Sequence, residues 1–147
     1  MRQAVALLLL FAACASFRDD KAEVLAVVNR VVSGLAHLDA DAIVANFAED
    51  ATFFFPDSAN QPARVEGKAA IRDVFERVFA EWRKSGATSP MPHLDDVRAE
   101  MFGDVALVTF QIRGPVLSRR TFVLRRIGGA WRIVHLHASN IRVSAAR

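Results

Sequence analysis

The sequence predicts an α+β domain in which N-terminal helices pack on a curved antiparallel sheet. Three observations predict it. Helical spacing of apolar residues dominates up to about residue 84, and strand-like segments fill the chain from about residue 96. Short glycine turns then join most successive strands, as in a meander covered by helices. The 147 residues leave room for one domain. Eleven Phe and two Trp in a chain that is 52% hydrophobic supply large side chains for its core.

The N-terminal segment is of another kind. Arg2 precedes the apolar run Ala4 to Phe11, and the small residues Ala12, Ala13, Cys14 and Ala15 follow. The run is too short to cross a bilayer, so residues 1–15 read as an export signal. Two processing routes stay open. Ala13-Cys14-Ala15 suits cleavage after Ala15, whereas Phe11-Ala12-Ala13-Cys14 resembles a lipoprotein signal that would leave an acylated Cys14 as a membrane anchor. Phe11 stands where that signal usually has Leu. The expected address is periplasmic or envelope-associated. Residues 16–20 then form a short polar tether, 21–141 the folded domain and 142–147 a tail. A single Cys excludes an internal disulfide.

Val24, Leu25, Val27, Val28, Val31, Val32 and Leu35 recur at helical spacing and predict a helix over 21–38, capped by Asp19 or Asp20. Asp39 caps a short second helix carrying Ile43, Val44 and Phe47 and closing at Glu49-Asp50. Residues 51–55 read as a strand stopped by Pro56. A polar loop follows, with a short strand near Arg64-Val65. Gly67 introduces a third helix whose stripe Ile71, Val74, Phe75, Val78, Phe79 and Trp82 faces the core. After a linker over 85–92, strands are expected at 96–102, 105–112, 118–127 and 131–138. Gly103-Asp104 and Gly128-Gly129-Ala130 form tight turns, and Gly114-Pro115 breaks the middle pair.

The net charge of +3 is spread thinly. Arg119-Arg120 and Arg125-Arg126 are neighbours in a strand and point to opposite faces, so no basic patch for nucleic acid results. Neither G-x-G-x-x-G nor a Walker pattern occurs, and no cofactor is expected.

On the last strand, Trp131, Ile133, His135, His137 and Ser139 share one parity, and Arg132, Val134, Leu136 and Ala138 the other. That alternation makes His135 and His137 the leading candidates for ligand contact in an apolar hollow, and general bases if the protein is an enzyme. The competing reading makes each a core histidine bonded to a backbone carbonyl or an acid. Arg120 shares a face with Phe122 and Leu124 and is suited to gripping a carboxylate or phenolate, or to a rim ion pair. Thr109 and Gln111 would supply polar lining. Phe55, Trp131 and Ser139 complete the ligand set. His-x-His gives two metal ligands, and nothing in the spacing brings a third from His93, His37 or Asp95, so no metal is expected. Ser139 lacks the glycines of a nucleophile elbow.

Phe47-x-Glu49-Asp50-Ala51-Thr52, Gly67-Lys68-x-Ala70-Ile71 and Trp131-Arg132-Ile133-Val134-His135-x-His137-x-Ser139, behind a long helix and the Asp39-x-Asp41 helix start, resemble the SnoaL-like branch of the NTF2-like superfamily over residues 21–141. The closing motif is similar to that of the association domain of calcium/calmodulin-dependent kinase. The resemblance implies a cone with a pocket between helices and sheet, and a homodimer formed through the sheet. It also excludes one chemistry. Val27 to Val31 is similar to the ketosteroid isomerase segment ending in the oxyanion-hole tyrosine, and Ala51 to Pro56 to the segment carrying its catalytic aspartate. Here those positions hold Val31 and Phe55, and the chain has no Tyr. The function expected is an exported binding or accessory protein for a small, partly apolar molecule. The alternatives are a cyclase, isomerase or dehydratase using His135 or His137, and an assembly protein acting through its sheet face.

Overall fold

The computed structural model describes residues 2–56, 64–86, 92–114 and 116–141, with side chains in the first helix described from Asp20 onward. The 142–147 tail, the Cys14 side chain and much of the loop and linker around Pro62 and Pro90 lie outside the described residues. Helix α1 (Arg2–His37) leads to α2 (Ala40–Val44), β1 (Phe47–Phe54), β2 (Val65–Glu66) and α3 (Lys68–Lys84). Strands β3 (His93–Phe102), β4 (Val105–Arg113), β5 (Leu117–Ile127) and β6 (Ala130–Ile141) close the chain.

The backbone of α1 is helical through residues 16–20, where a tether and a cap were expected. Asp20 belongs to the folded part, because Arg126 of β5 donates a hydrogen bond to its carboxylate. Val24, Val27, Val28, Val31 and Val32 are buried along one face of the helix, as their spacing predicts.

The helix ends in a Schellman motif. Leu38 takes a left-handed conformation (φ 53), Asp39 N–H donates to Gly34 O and Leu38 N–H to Leu35 O. Asp39 then accepts from Ala42 N–H at 2.9 Å and caps α2. This sharp elbow presses α2 onto α1 at Gly34, where a Cβ would lie 2.6 Å from Ile43 Cγ1 and 3.2 Å from two backbone atoms. Gly34→Ala is therefore expected to destabilise by about 1–2 kcal/mol, the clash outweighing the helix propensity gained. A lower urea midpoint at unchanged m checks it.

The six strands form one sheet in the order β2-β1-β6-β5-β4-β3. All pairings are antiparallel except β1 with β6, which is parallel, so the sheet is mixed where a wholly antiparallel one was expected. The chain from Phe47 to Asp50, read in sequence as the end of a helix, is already strand. Gly67, with φ 87, donates to Ala51 O and accepts from Ile71 N–H, joining β2 to α3 in a conformation that favours glycine.

The helices cover one face of the sheet, here the inner face. Phe53 of β1 stacks on Phe75 of α3 with ring centroids 5.6 Å apart, and Phe75 meets Phe79 at 5.8 Å. Ile71, Val74, Phe75 and Phe79 are buried as the stripe predicts, but Trp82 at the helix end keeps one side in solvent. Phe110, Phe122 and Leu124 supply the sheet's side of the core.

One irregularity decides which side chains join that core. Val123 pairs with His135 but Leu124 pairs with Ile133, leaving Val134 as an extra residue in β6. This β-bulge shifts the alternation by one. Trp131 and Ile133 are buried before it, and Leu136 and Ala138 after it.

Candidate functional site

The bulge divides the residues that the sequence groups together. Phe53 faces the helices, so its neighbours Thr52 and Phe54 face away from them. His135 Nδ1 shares a hydrogen bond of 2.7 Å with Thr52 Oγ1. The Phe54 ring lies 5.4 Å from the His135 ring and 5.7 Å from that of His137. Both histidines thus stand on the outer face of the sheet. The expectation that they share a wall with Trp131 and Ile133 is corrected by the bulge at Val134.

Cross-strand register puts Thr109 and Thr121 in the same row as His137 and Phe54, and Gln111 and Arg119 in a row with Ser139. Of the expected site, the outer face therefore collects His135, His137, Thr109, Gln111 and Ser139. Their surroundings are half open to solvent. His135 is held below its ordinary pKa of 6.5, first by partial burial and then by the nearby charges of His137 and Arg64.

The sign of the consequence is fixed. Above about pH 7 the ring is neutral in both folded and unfolded chains; below that, the unfolded chain takes up the proton first. His135 therefore lowers stability as pH falls from about 7 towards 5. His135→Gln is expected to flatten that part of a curve of urea midpoint against pH.

Arg120 lies on the inner face, as its parity with Phe122 and Leu124 predicts. It pairs across the sheet with Phe110 on one side and Ala138 on the other, both buried. Its Nη1 donates to Arg119 O at 2.9 Å and to Ser139 O at 3.4 Å. No carboxylate among the described residues pairs with it. Burial pulls its pKa down to about 10, a direction that records desolvation without a compensating anion.

Beside it, buried Ser118 donates to Asn140 Oδ1 at 2.7 Å. Sequence reasoning did not single out either residue, although Ser118 shares the parity of Arg120. Phe55 follows the Phe54–His137 pair, so the chain reaches it near the level of Ala138, and its ring lies 5.2 Å from Phe53. This end of the inner face therefore combines one guanidinium, a hydroxyl–amide pair and several aromatic rings.

Trp131 is on the inner face but at the far end of β6. It is buried beneath Arg126, whose guanidinium carbon lies 4.9 Å from the ring centroid. Its Nε1 has no partner among the described residues. Seven residues along β6 separate Trp131 from Ala138, the cross-strand partner of Arg120, a distance of roughly 20 Å, so Trp131 and Arg120 do not serve one small ligand.

The residues weighed as metal ligands stay apart. His37 meets Ser33 O near the end of α1, and Asp95 pairs with Arg113. Among the described residues no three His, Cys, Asp or Glu side chains gather in a way that could hold a metal ion. No helix among them is long and apolar enough to cross a membrane.

Comparison with known proteins fits this architecture. The SnoaL-like domain profile matches residues 24–144. An NTF2-like protein of unknown function from Pseudomonas putida is 24% identical with a TM-score of 0.70, over 83% of this chain and 87% of that one. An NTF2-like protein with a cystatin-like fold from Novosphingobium aromaticivorans is 19% identical with a TM-score of 0.71, over 92% and 90%. A candidate dehydratase of the NTF2-like family from Streptomyces avermitilis is 18% identical with a TM-score of 0.70, over 86% and 99%. No match was found among curated proteins. At these identities the structures speak for the fold, which is NTF2-like, and the profile for the family: the chain belongs to the SnoaL-like domain family.

Proposed function

We propose that this is an exported binding protein that holds a small, partly apolar anion on the inner face of its sheet, with Arg120 gripping the anionic group. The observation that carries the reading is the Arg120 guanidinium, desolvated and bonded only to the carbonyls of Arg119 and Ser139 among the described residues. A half-buried cation without a counter-charge is under-satisfied, and a bound carboxylate or phenolate would supply that charge in bidentate geometry. Phe55, partly exposed and in contact with Phe53, offers the apolar remainder of such a ligand a surface to lie on.

An enzyme using His135 or His137 as general base is disfavoured, because both rings lie across the sheet from Arg120. The candidate dehydratase of similar fold keeps its assignment to itself. Export rests on Arg2 and the apolar run up to Phe11, with Cys14 as the attachment point if the signal is of lipoprotein type. Self-association through the outer face, where Phe54, Leu107 and Val123 stand among the histidines, belongs to the same reading.

Native mass spectrometry tests it, on full-length protein expressed with its signal in a bacterial host and purified from the envelope. The expected spectrum is a dimer retaining an anionic species of roughly a few hundred daltons, a size that suits a fold pocket. A monomer that retains nothing and takes up no organic acid would refute it.

A further inference from the structure

We infer that the elbow between α1 and α2 forms a second, separate binding site for a small oxyanion, with Arg30 and Arg132 as its two donors. A cleft of about 540 Å³ opens there, lined by residues of α1, α2, the turn into β1 and the start of β6. Its size is that of a small-molecule site. It lies at the opposite end of β6 from Arg120, and no residue of the proposed inner-face site lines it.

The two arginines are fixed to consecutive residues. Arg30 Nε donates to Asn46 Oδ1 at 2.8 Å, and Arg132 Nη1 donates to Ala45 O at 2.6 Å. Each guanidinium thus spends one nitrogen on the protein and keeps the other two for a ligand. Neither pairs with a carboxylate among the described residues. Both cations line one cleft, and an anion bound between them would accept from both.

Asn46 is what makes this a built site. It is only 4% exposed, although it is polar. Its Nδ2 donates to Ala42 O at 2.8 Å and Ile43 O at 3.3 Å, and its Oδ1 faces Arg30. The amide is therefore locked by α2 and presents a fixed acceptor to Arg30, so the guanidinium is oriented before any ligand arrives. Asp39 is the one acid in the lining, and its Oδ1 is committed to Ala42 N–H in the α2 cap. The remaining charge of the lining is net positive, with His37 at its edge held on Ser33 O. A carboxylate and a phosphate present the same oxyanion chemistry to such a pair.

The test is an NMR titration of the ¹⁵N-labelled protein, following the amides of Gly34, Ala42 and Ala45, with inorganic phosphate and with succinate in parallel at constant ionic strength. Saturable shifts are expected with a dissociation constant near or below roughly 1 mM. Arg30→Gln and Arg132→Gln should each weaken binding about tenfold, and the double variant should abolish it. Arg120→Met should leave these shifts unchanged, which separates this site from the proposed ligand of the inner face. Saturation by phosphate alone or by succinate alone supports the site and names its ligand class. Linear shifts with both probes, or equal binding by the folded double variant, would overturn it.

Discussion

Deleting Leu136 is expected to abolish the native fold, whereas deleting Val134 is expected to leave it standing. Without Val134, Trp131, Ile133, Leu136 and Ala138 alternate in one inward phase, His135 and His137 stay outward, and Ile133 and His135 remain opposite Leu124 and Val123. Without Leu136 the bulge remains but the strand beyond it changes phase, so His137 turns into the space beside Phe122 and Ala138 turns outward. Losing the burial of Leu136 costs about 2 kcal/mol, and burying an imidazole without a partner costs at least as much again. The total is on the order of 5 kcal/mol, comparable with the whole stability of a domain of this size. Circular dichroism melts of the two variants check the pair. Loss of the cooperative melt in the Val134 deletion, or a wild-type-like melt in the Leu136 deletion, would mean that the bulge does not set the phase of the strand.

Replacing Arg120 by Met should separate ligand binding from stability. The substitution removes a desolvated cation that has only carbonyl partners and leaves a side chain of similar length among Phe110, Phe122 and Ala138. Exchanging a buried charge for a packed apolar group is often neutral or stabilising, so the unfolding midpoint should stay level or rise. Affinity for an organic anion should nevertheless fall at least about thirtyfold, the cost of losing a charged hydrogen-bonded contact. Isothermal titration and urea unfolding on the same preparations measure both. A structural role for Arg120 would appear as the reverse, with lowered stability and unchanged affinity.

Much of this architecture can be read directly from residue spacing. The valines of α1, the Asp39 cap, the stripe of α3 and the turns at Gly103 and Gly128-Gly129 each follow from local rules, and each stands where those rules predict. The failures are of two kinds. The strand from Phe47 to Asp50 continues a helical apolar pattern, and only its parallel pairing with β6 makes it extended. The placement of His135 and His137 fails because period-two reasoning assumes an unbroken phase. Local evidence of the break exists: Ile133 and Val134 are adjacent and both apolar, with Trp131 in phase with the first and Leu136 and Ala138 with the second. An apolar pattern that changes parity within one strand indicates a bulge. Arg120 escapes this error because β5 keeps one phase from Ser118 to Leu124. The Arg30–Asn46 contact spans sixteen residues and depends on how the elbow folds, so no local pattern reveals it.

The most direct test of the account is which face of the sheet binds. Wild type, Arg120→Met and His137→Gln can be screened side by side by thermal shift against a panel of small aromatic carboxylates. For an active compound at a hundred times its dissociation constant, wild type and His137→Gln are predicted to gain roughly 10 °C, and Arg120→Met to gain nothing. A shift that survives in Arg120→Met but disappears in His137→Gln would put the ligand on the outer face and contradict the account.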